Sequence, residues 1–219
     1  DITPGKDEPL TEANRWWLGE GKYDFDKIDR RLKSIIAADP DAYIFPRVKL
    51  NPPDWWLKEH ADERVQFEDG EKQPQHSMAS PAWEAAYERM LRDLIRHIES
   101  SDYADRIIGY QPAGGSSSEW IWWGSHNRPN PRCIDYSPAA QNRFRQWLRE
   151  RYNDDTAALR RAWNDERVEF ETAEVPSGKF REATEYGLVR DVKVAGQVID
   201  YLQFMSDIKT HNIIRSCRI

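Results

Sequence analysis

Residues 106–112, Arg-Ile-Ile-Gly-Tyr-Gln-Pro, decide the fold, because this short apolar run predicts a buried strand. It follows a helical pattern over 81–101, with apolar residues every three or four positions, and leads into a Gly/Ser run at 113–118. A second strand is predicted over 43–50 (YIFPRVKL), after a helix that begins near Asp24. Apolar strands that alternate with amphipathic helices are typical of a parallel sheet covered by helices. The sequence therefore predicts the α/β class.

The loops around these strands are unequal. The loops that follow the strands are long and rich in Trp, Gly, Ser and Asn, whereas the loops that precede them are short. In a (β/α) barrel the loops after the strands build the active site. The pattern therefore predicts a (β/α) TIM-barrel type of fold. Ser80-Pro81 and Ser137-Pro138 each combine a capping Ser with Pro at the first helical position, and we expect helices to begin there. A last helix is expected from about Asp191.

Composition excludes several classes of protein. The 219 residues include ten Trp and carry a net charge of -6, with a mean hydropathy of -0.87. The aromatic content argues against disorder, the acidic balance against a nucleic-acid partner, and the lack of a long apolar run against a membrane partner. Cys133 and Cys217 are too few for a disulfide framework. Unpaired Cys and the lack of a leader-like segment favour the cytoplasm, with secretion left open.

The segment that carries the candidate chemistry is 109–127, GYQPAGGSSSEWIWWGSHN. Glu119 follows a strand end and is flanked by Trp120, Trp122 and Trp123. Indole rings stack on the apolar faces of sugars, and a carboxyl group among them loses hydration, as the proton donor of a glycosidase does. We therefore expect Glu119 to be a general acid/base between sugar-stacking Trp residues. The alternative is that these Trp belong to the core and that Glu119 ends a turn.

Further substrate-binding candidates surround this segment. They are an aromatic pair beyond the first strand, an Arg within that strand, and polar side chains able to bind sugar hydroxyls: Trp55, Trp56, Arg47, Gln111, His126 and Asn127. Ordinary packing or solvation is the alternative for each, and a buried Arg47 would need a carboxylate partner. Three other Trp lie in predicted helices and are expected in the core: Trp83, Trp147 and Trp163. Nucleotide-binding and zinc-protease motifs are absent, and the His residues lack ligand spacing, so we expect no metal or organic cofactor.

Four segments resemble the catalytic domain of clan A glycoside hydrolases, and of family 42 β-galactosidases in particular. They are GKYDFDKIDRRLKSI (21–35), AYIFPRVKLNPPDWW (42–56), RIIGYQPAGGSSSEW (106–120) and YSPAAQNRFRQWLRERYNDDTAALRRAWN (136–164). The resemblance implies a retaining glycosidase that acts on β-galactosides or related β-linked sugars, with Glu119 as its acid/base. Members carry Asn before that Glu, where this chain has Ser118, so Asn127 or another group would bind the sugar 2-hydroxyl, or sugar recognition differs.

A full barrel takes about 250 residues. The resemblance therefore implies one barrel-like domain over 1–219 that is incomplete at one or both ends, and the nucleophile, which follows the seventh strand in the family, is not identifiable here. A partial barrel exposes sheet edges, so we expect a homo-oligomer that covers them. The alternatives to a carbohydrate-cleaving enzyme are a carbohydrate-binding protein and an inactive barrel fragment that folds by self-association.

Overall fold

The computed structural model describes residues 16–116, 118–122, 132–183 and 190–219. Its contacts group the chain into two compact units. Unit 1 comprises Asp1–Ala61, Pro81–Trp122 and Asn212–Ile219, and unit 2 comprises Asp62–Ser80 and Trp123–His211. The helices are α1 (Asp26–Ala38), α2 (Asp54–Glu59), α3 (Pro81–Glu99), α4 (Pro138–Tyr152), α5 (Thr156–Trp163), α6 (Gly178–Glu182) and α7 (Gly196–Cys217). The strands are β1 (Trp17–Gly19), β2 (Lys22–Tyr23), β3 (Arg47–Lys49), β4 (Arg64–Gln66), β5 (Lys72–His76) and β6 (Gln111–Ala113).

A parallel strand pair forms the centre of unit 1. β3 pairs with β6 in parallel, with Arg47 opposite Gln111, and a parallel bridge between Ile44 and Ile107 continues the pairing. The predicted parallel arrangement is therefore present, but both strands are shorter than 43–50 and 106–112. Gly109 interrupts the second run with a φ of 145°, a conformation that regular strand residues do not adopt. Within the described residues the pair does not continue into a closed barrel.

The two faces of β3 have opposite character. Val48 and Leu50 are buried in an apolar core with Ile28 of α1 and Leu94 of α3. Side chains alternate between the faces of a strand, so Arg47 lies on the face opposite this core. That polar face is where charged side chains can meet the loop that follows β6.

Some predicted boundaries were wrong. Helix α1 begins at Asp26 rather than near Asp24, whose carboxylate pairs with Lys27 at 3.6 Å instead of capping the helix. Helix α7 begins at Gly196 rather than near Asp191. The sequence also missed two antiparallel hairpins, β1–β2 and β4–β5. The first closes through Glu20 and Gly21, and Gly21 has a φ of 63°, which suits Gly at a two-residue turn.

Unit 2 has a second aromatic core around Phe144 of α4. Phe144 packs against the rings of Trp147, Trp163, Tyr201 and Phe204. Trp147 and Trp163 are half-buried rather than fully enclosed, and each indole N–H donates to a carboxylate of α7. In the part of the chain that the structure describes, none of the helices combines the length and apolar character needed to cross a membrane.

A buried carboxyl group ties segments of unit 2 together. Asp135 is 1% exposed, and its Oδ1 accepts the backbone N–H groups of Gln66, at 3.2 Å, and Ser137, at 2.9 Å. The Tyr201 hydroxyl bonds to the backbone of the same residue. Burial raises the pKa of Asp135, and the hydrogen bonds that it accepts only partly offset this effect.

We expect Asp135→Asn to change how stability depends on pH. The folded chain holds the Asp135 proton more tightly than the unfolded chain, so the stability from this group falls as pH rises above about 4. Asn keeps an acceptor for the two N–H groups but does not ionise. The free energy of unfolding of the variant, measured by urea titration, should therefore rise relative to that of wild type as the pH increases from about 4 to about 7.

Asp135→Ala is the companion variant, because it removes the acceptor altogether and should cost about 2 kcal/mol. Asp41→Asn, at an exposed carboxyl group, is the control and should leave the pH dependence as in wild type. A constant difference between Asp135→Asn and wild type at every pH would contradict this assignment.

Candidate active site

Glu119 lies at the tip of a tight loop that follows β6. The loop closes through an antiparallel bridge in which the Ser116 N–H donates to the Ile121 carbonyl at 2.8 Å. The Trp120 N–H donates to the Gly114 carbonyl at 2.7 Å. Ser118 and Trp120 have φ values of 60° and 57°, so left-handed residues stand on both sides of Glu119. This backbone presents the Glu119 carboxyl group to solvent.

The predicted enclosure of Glu119 by indoles is only partly present. Trp120 and Trp122 are half-buried, while Glu119 itself is exposed, so the desolvation expected from the sequence is not found among the described residues. The Trp120 ring lies over Gly114, where an added Cβ would be 2.8 Å from the ring. Trp120 therefore packs onto the backbone of its own loop. Three predicted site residues lie outside the described residues: Trp123, His126 and Asn127.

Arg47 connects this loop to β3. Its Nη2 donates to the Ser118 carbonyl at 3.2 Å, directly before Glu119 in the chain. The sequence predicted a carboxylate partner for Arg47, but the structure supplies a backbone carbonyl. The Arg47 Nε is buried, with no hydrogen-bond partner among the described residues. Gln111 faces Arg47 in register and is exposed. The structure thus brings together Arg47, Gln111 and the Glu119 loop.

Trp55 and Trp56 lie elsewhere in unit 1. Trp56 is 2% exposed, with its ring 4.8 Å from that of Trp83 and stacked 4.5 Å from that of His60. Trp55 is half-buried, and its Nε1 donates to the Trp17 carbonyl at 3.1 Å. The structure therefore packs this pair against other aromatic rings.

The remaining titratable side chains of the described residues show no further catalytic grouping of a metal-binding or thiol type. Among the described residues, no cluster of His, Cys, Asp and Glu could hold a metal ion. The acidic stretch after α5 uses two of its Glu residues in ion pairs, Glu169 with Arg160 and Glu171 with Arg149. Cys133 is half-buried, and its burial raises the pKa of the thiol, which disfavours the nucleophilic thiolate.

The comparisons with known proteins identify the family of the chain. The model of glycoside hydrolase family 42, described as beta-galactosidase, matches residues 19–218. The class is thus that of glycoside hydrolases. Within that class the chain belongs to family 42, which confirms the resemblance drawn from the sequence segments.

Individual relatives show what share of their length aligns with this chain. Beta-galactosidase LacZ of Lactobacillus acidophilus is 25% identical over 204 residues, which are 86% of this chain and 26% of the relative. Beta-galactosidase BbgII of Bifidobacterium bifidum is 27% identical over 153 residues, or 66% of this chain and 19% of the relative. The chain spans about a quarter or less of the length of these relatives.

Solved structures show the same proportion. The beta-galactosidase from Bacillus circulans sp. alkalophilus superposes with a TM-score of 0.64 at 19% identity, over 90% of this chain and 27% of that one. The beta-galactosidase from Halorubrum lacusprofundi superposes with a TM-score of 0.63 at 18% identity, over 92% of this chain and 29% of that one. Structural neighbours of this kind are TIM-barrel enzymes. The α/β class predicted from the sequence is therefore confirmed, in a chain that covers only part of such an enzyme.

We expect Arg47→Ala to loosen the Glu119 loop. The substitution removes the donor to the Ser118 carbonyl, a loss of about 1.4 kcal/mol of local stability. The Trp120 amide, bonded to Gly114, should then exchange with solvent about tenfold faster in a hydrogen-exchange experiment. Gln111→Ala, at the neighbouring exposed position, is the control and should leave that rate unchanged. An unaltered Trp120 amide in Arg47→Ala would show that Arg47 does not hold the loop.

Gly114→Ala should also disturb this loop, for a steric reason. The new Cβ would lie 2.8 Å from the Trp120 ring, so either the ring or the backbone must move. We expect the free energy of unfolding in urea to fall by about 1–3 kcal/mol. Gly19→Ala is the matched control, because its Cβ would be 3.5 Å from the nearest atom, an ordinary contact. Equal stability of the two variants would refute the packing of Trp120 on Gly114.

Proposed function

We propose that this chain is the acid/base-bearing part of a retaining glycoside hydrolase that acts on β-galactosides or related β-linked sugars. The observation that supports the proposal is the placement of Glu119, exposed at a loop tip between left-handed residues and connected to β3 by Arg47. The named relatives are beta-galactosidases, and family membership makes the same chemistry the natural candidate here.

Glu119 would act twice in the reaction. It first protonates the leaving glycosidic oxygen, and then, as a carboxylate, removes a proton from the water that releases the sugar. A retaining enzyme needs a second carboxylate about 5 Å away as its nucleophile. The proposal assigns the first role to Glu119 and assigns no residue of this chain to the second.

The loop around Glu119 would supply the substrate contacts. Trp120 and Trp122 retain partly accessible rings, which with Trp123 could stack on a sugar. Gln111 is exposed beside Arg47 and offers an amide to ring hydroxyls, as His126 and Asn127 would. This chemistry needs no metal or organic cofactor.

A second candidate is a carbohydrate-binding or inactive barrel fragment that self-associates. An exposed apolar patch favours it: Tyr43 is 68% exposed, Phe45 55% and Ile108 65%. Phe45 and Tyr43 are two and four residues before Arg47, so strand alternation places them on the face away from the Val48 core. Such a patch marks a surface that another chain or segment covers. The proposed homo-oligomer would bury this patch.

We expect Glu119→Gln to lower the hydrolysis of β-galactosides by at least about a hundredfold. The loss should be larger for lactose than for nitrophenyl β-galactoside, because nitrophenolate is a weaker base and needs less protonation as it leaves. The measurement is kcat for both substrates with the purified chain.

Glu59→Gln, an exposed carboxyl of α2, is the control and should behave as wild type. Activity that persists in Glu119→Gln would remove Glu119 from the mechanism. A purified chain that binds galactosides saturably without cleaving them would favour the second candidate.

A further inference from the structure

A small cavity in unit 1 lies apart from the Glu119 loop. Its volume is about 120 Å³, and it is formed by the β1–β2 hairpin, α2 and the first half of α3. The lining is mostly aromatic, with a floor of small side chains on α3: Trp17, Tyr23, Trp55, Trp56, His60, Ala82, Ala85 and Ala86. Arg47, Gln111, Glu119 and Trp120 are not part of this lining.

The floor explains why there is space at all. Ala82, Ala85 and Ala86 stand three and four positions apart on α3, and therefore share one face of the helix. An Ala side chain is a single methyl group, so this face leaves space beside the larger rings, and Ala85 itself remains exposed to solvent. The volume is close to that of a cavity of about 150 Å³ that admits benzene. The cavity is thus of the size that holds a single six-membered ring.

The polar groups of the cavity suit a hydroxylated ring. Trp17 is 3% exposed, and its Nε1 is buried with no hydrogen-bond partner among the described residues. An unbonded buried donor is costly, and a small shift of the Trp17 ring toward a ligand hydroxyl would satisfy it. His60 adds ring nitrogens that can donate or accept. Glu20 and Arg89, which pair with each other, add a carboxylate and a guanidinium group to the lining.

We propose that this cavity is a subsite for one pyranose ring of a galactoside, distinct from the Glu119 loop. Aromatic faces would stack on the apolar C–H face of the sugar, and the Trp17 Nε1, His60 and Glu20 would bind its hydroxyls. The choice of a galactoside rests on the proposed function, whereas the cavity does not depend on Glu119. Trp55 thus contacts sugar here, rather than beside the acid/base.

The test follows the indole N–H resonances of the ¹⁵N-labelled chain during titration with methyl β-D-galactopyranoside. We expect saturable shifts of the Trp17 and Trp55 indole signals, with a dissociation constant in the millimolar range. Ala85→Leu places a larger side chain in the cavity while keeping a good helix former, and should weaken binding at least about tenfold. Trp55→Ala should weaken it as well.

Two controls separate this subsite from the proposed active site. Ala37→Leu makes the same exchange at an exposed position of α1 and should bind as wild type does. Glu119→Gln should also bind normally, even where it abolishes hydrolysis. Lack of saturable shifts in the wild-type chain, equal binding by Ala85→Leu, or loss of the shifts in Glu119→Gln would each overturn the subsite. None of these results depends on whether the chain is catalytically active.

Discussion

The parallel pairing of β3 with β6 is the interaction on which the candidate site depends. It aligns Arg47 with Gln111 and starts the Glu119 loop directly beyond the end of β6. The pairing is only three residues long, so its persistence relies on what packs behind it. Val48, which is fully buried, anchors the strand in the apolar core formed with α1 and α3. The same alternation that buries Val48 leaves Arg47 free to bond the loop, and core and site are thus coupled through one strand.

The surplus of Trp serves two purposes in unit 1. Trp16, Trp17, Trp56 and Trp83 are nearly fully buried, and their rings form a large part of the core of unit 1. Large rings leave irregular gaps where they meet small residues, and the cavity over the alanines of α3 is one such gap. An aromatic core near the surface therefore produces a ring-sized cavity without a dedicated loop. In the Glu119 loop, by contrast, the Trp120 ring contacts backbone, at Gly114.

The sequence predicted best where local signals were strong. Ser-Pro pairs marked the starts of α3 and α4, and the Ser137 hydroxyl does accept the Ala140 N–H at 3.1 Å. Segment likeness led to the correct family, since family motifs combine many weak signals. The β1–β2 hairpin was missed because Trp16-Trp17 resembles core composition more than strand alternation, although Glu20-Gly21 was a usable turn signal.

The placement of Trp55 and Trp56 could not be read from spacing. Both follow a predicted strand end, as barrel-site residues do, but the direction of each ring is set by its neighbours in three dimensions. Trp55 bonds to Trp17, which lies 38 residues earlier in the chain. Trp56 packs against Trp83 of α3. Long-range packing of this kind leaves no local pattern. The exposure of Glu119 likewise depends on the left-handed backbone conformation of Ser118 and Trp120. Neither Ser nor Trp favours that conformation, so the sequence did not indicate it.

The exposed apolar patch of Tyr43, Phe45 and Ile108 is explained by the geometry of a barrel strand. In a barrel the face of a strand opposite the helices points to the interior, where neighbouring strands bury it. Tyr43 and Phe45 lie on that face of the β3 run and are exposed, while the chain spans about a quarter of its barrel-forming relatives. Apolar side chains on an interior face are stable only when covered. The patch is therefore what the interior face of a barrel strand presents where no neighbouring strand covers it, and it is a surface that a partner of apolar character could bury.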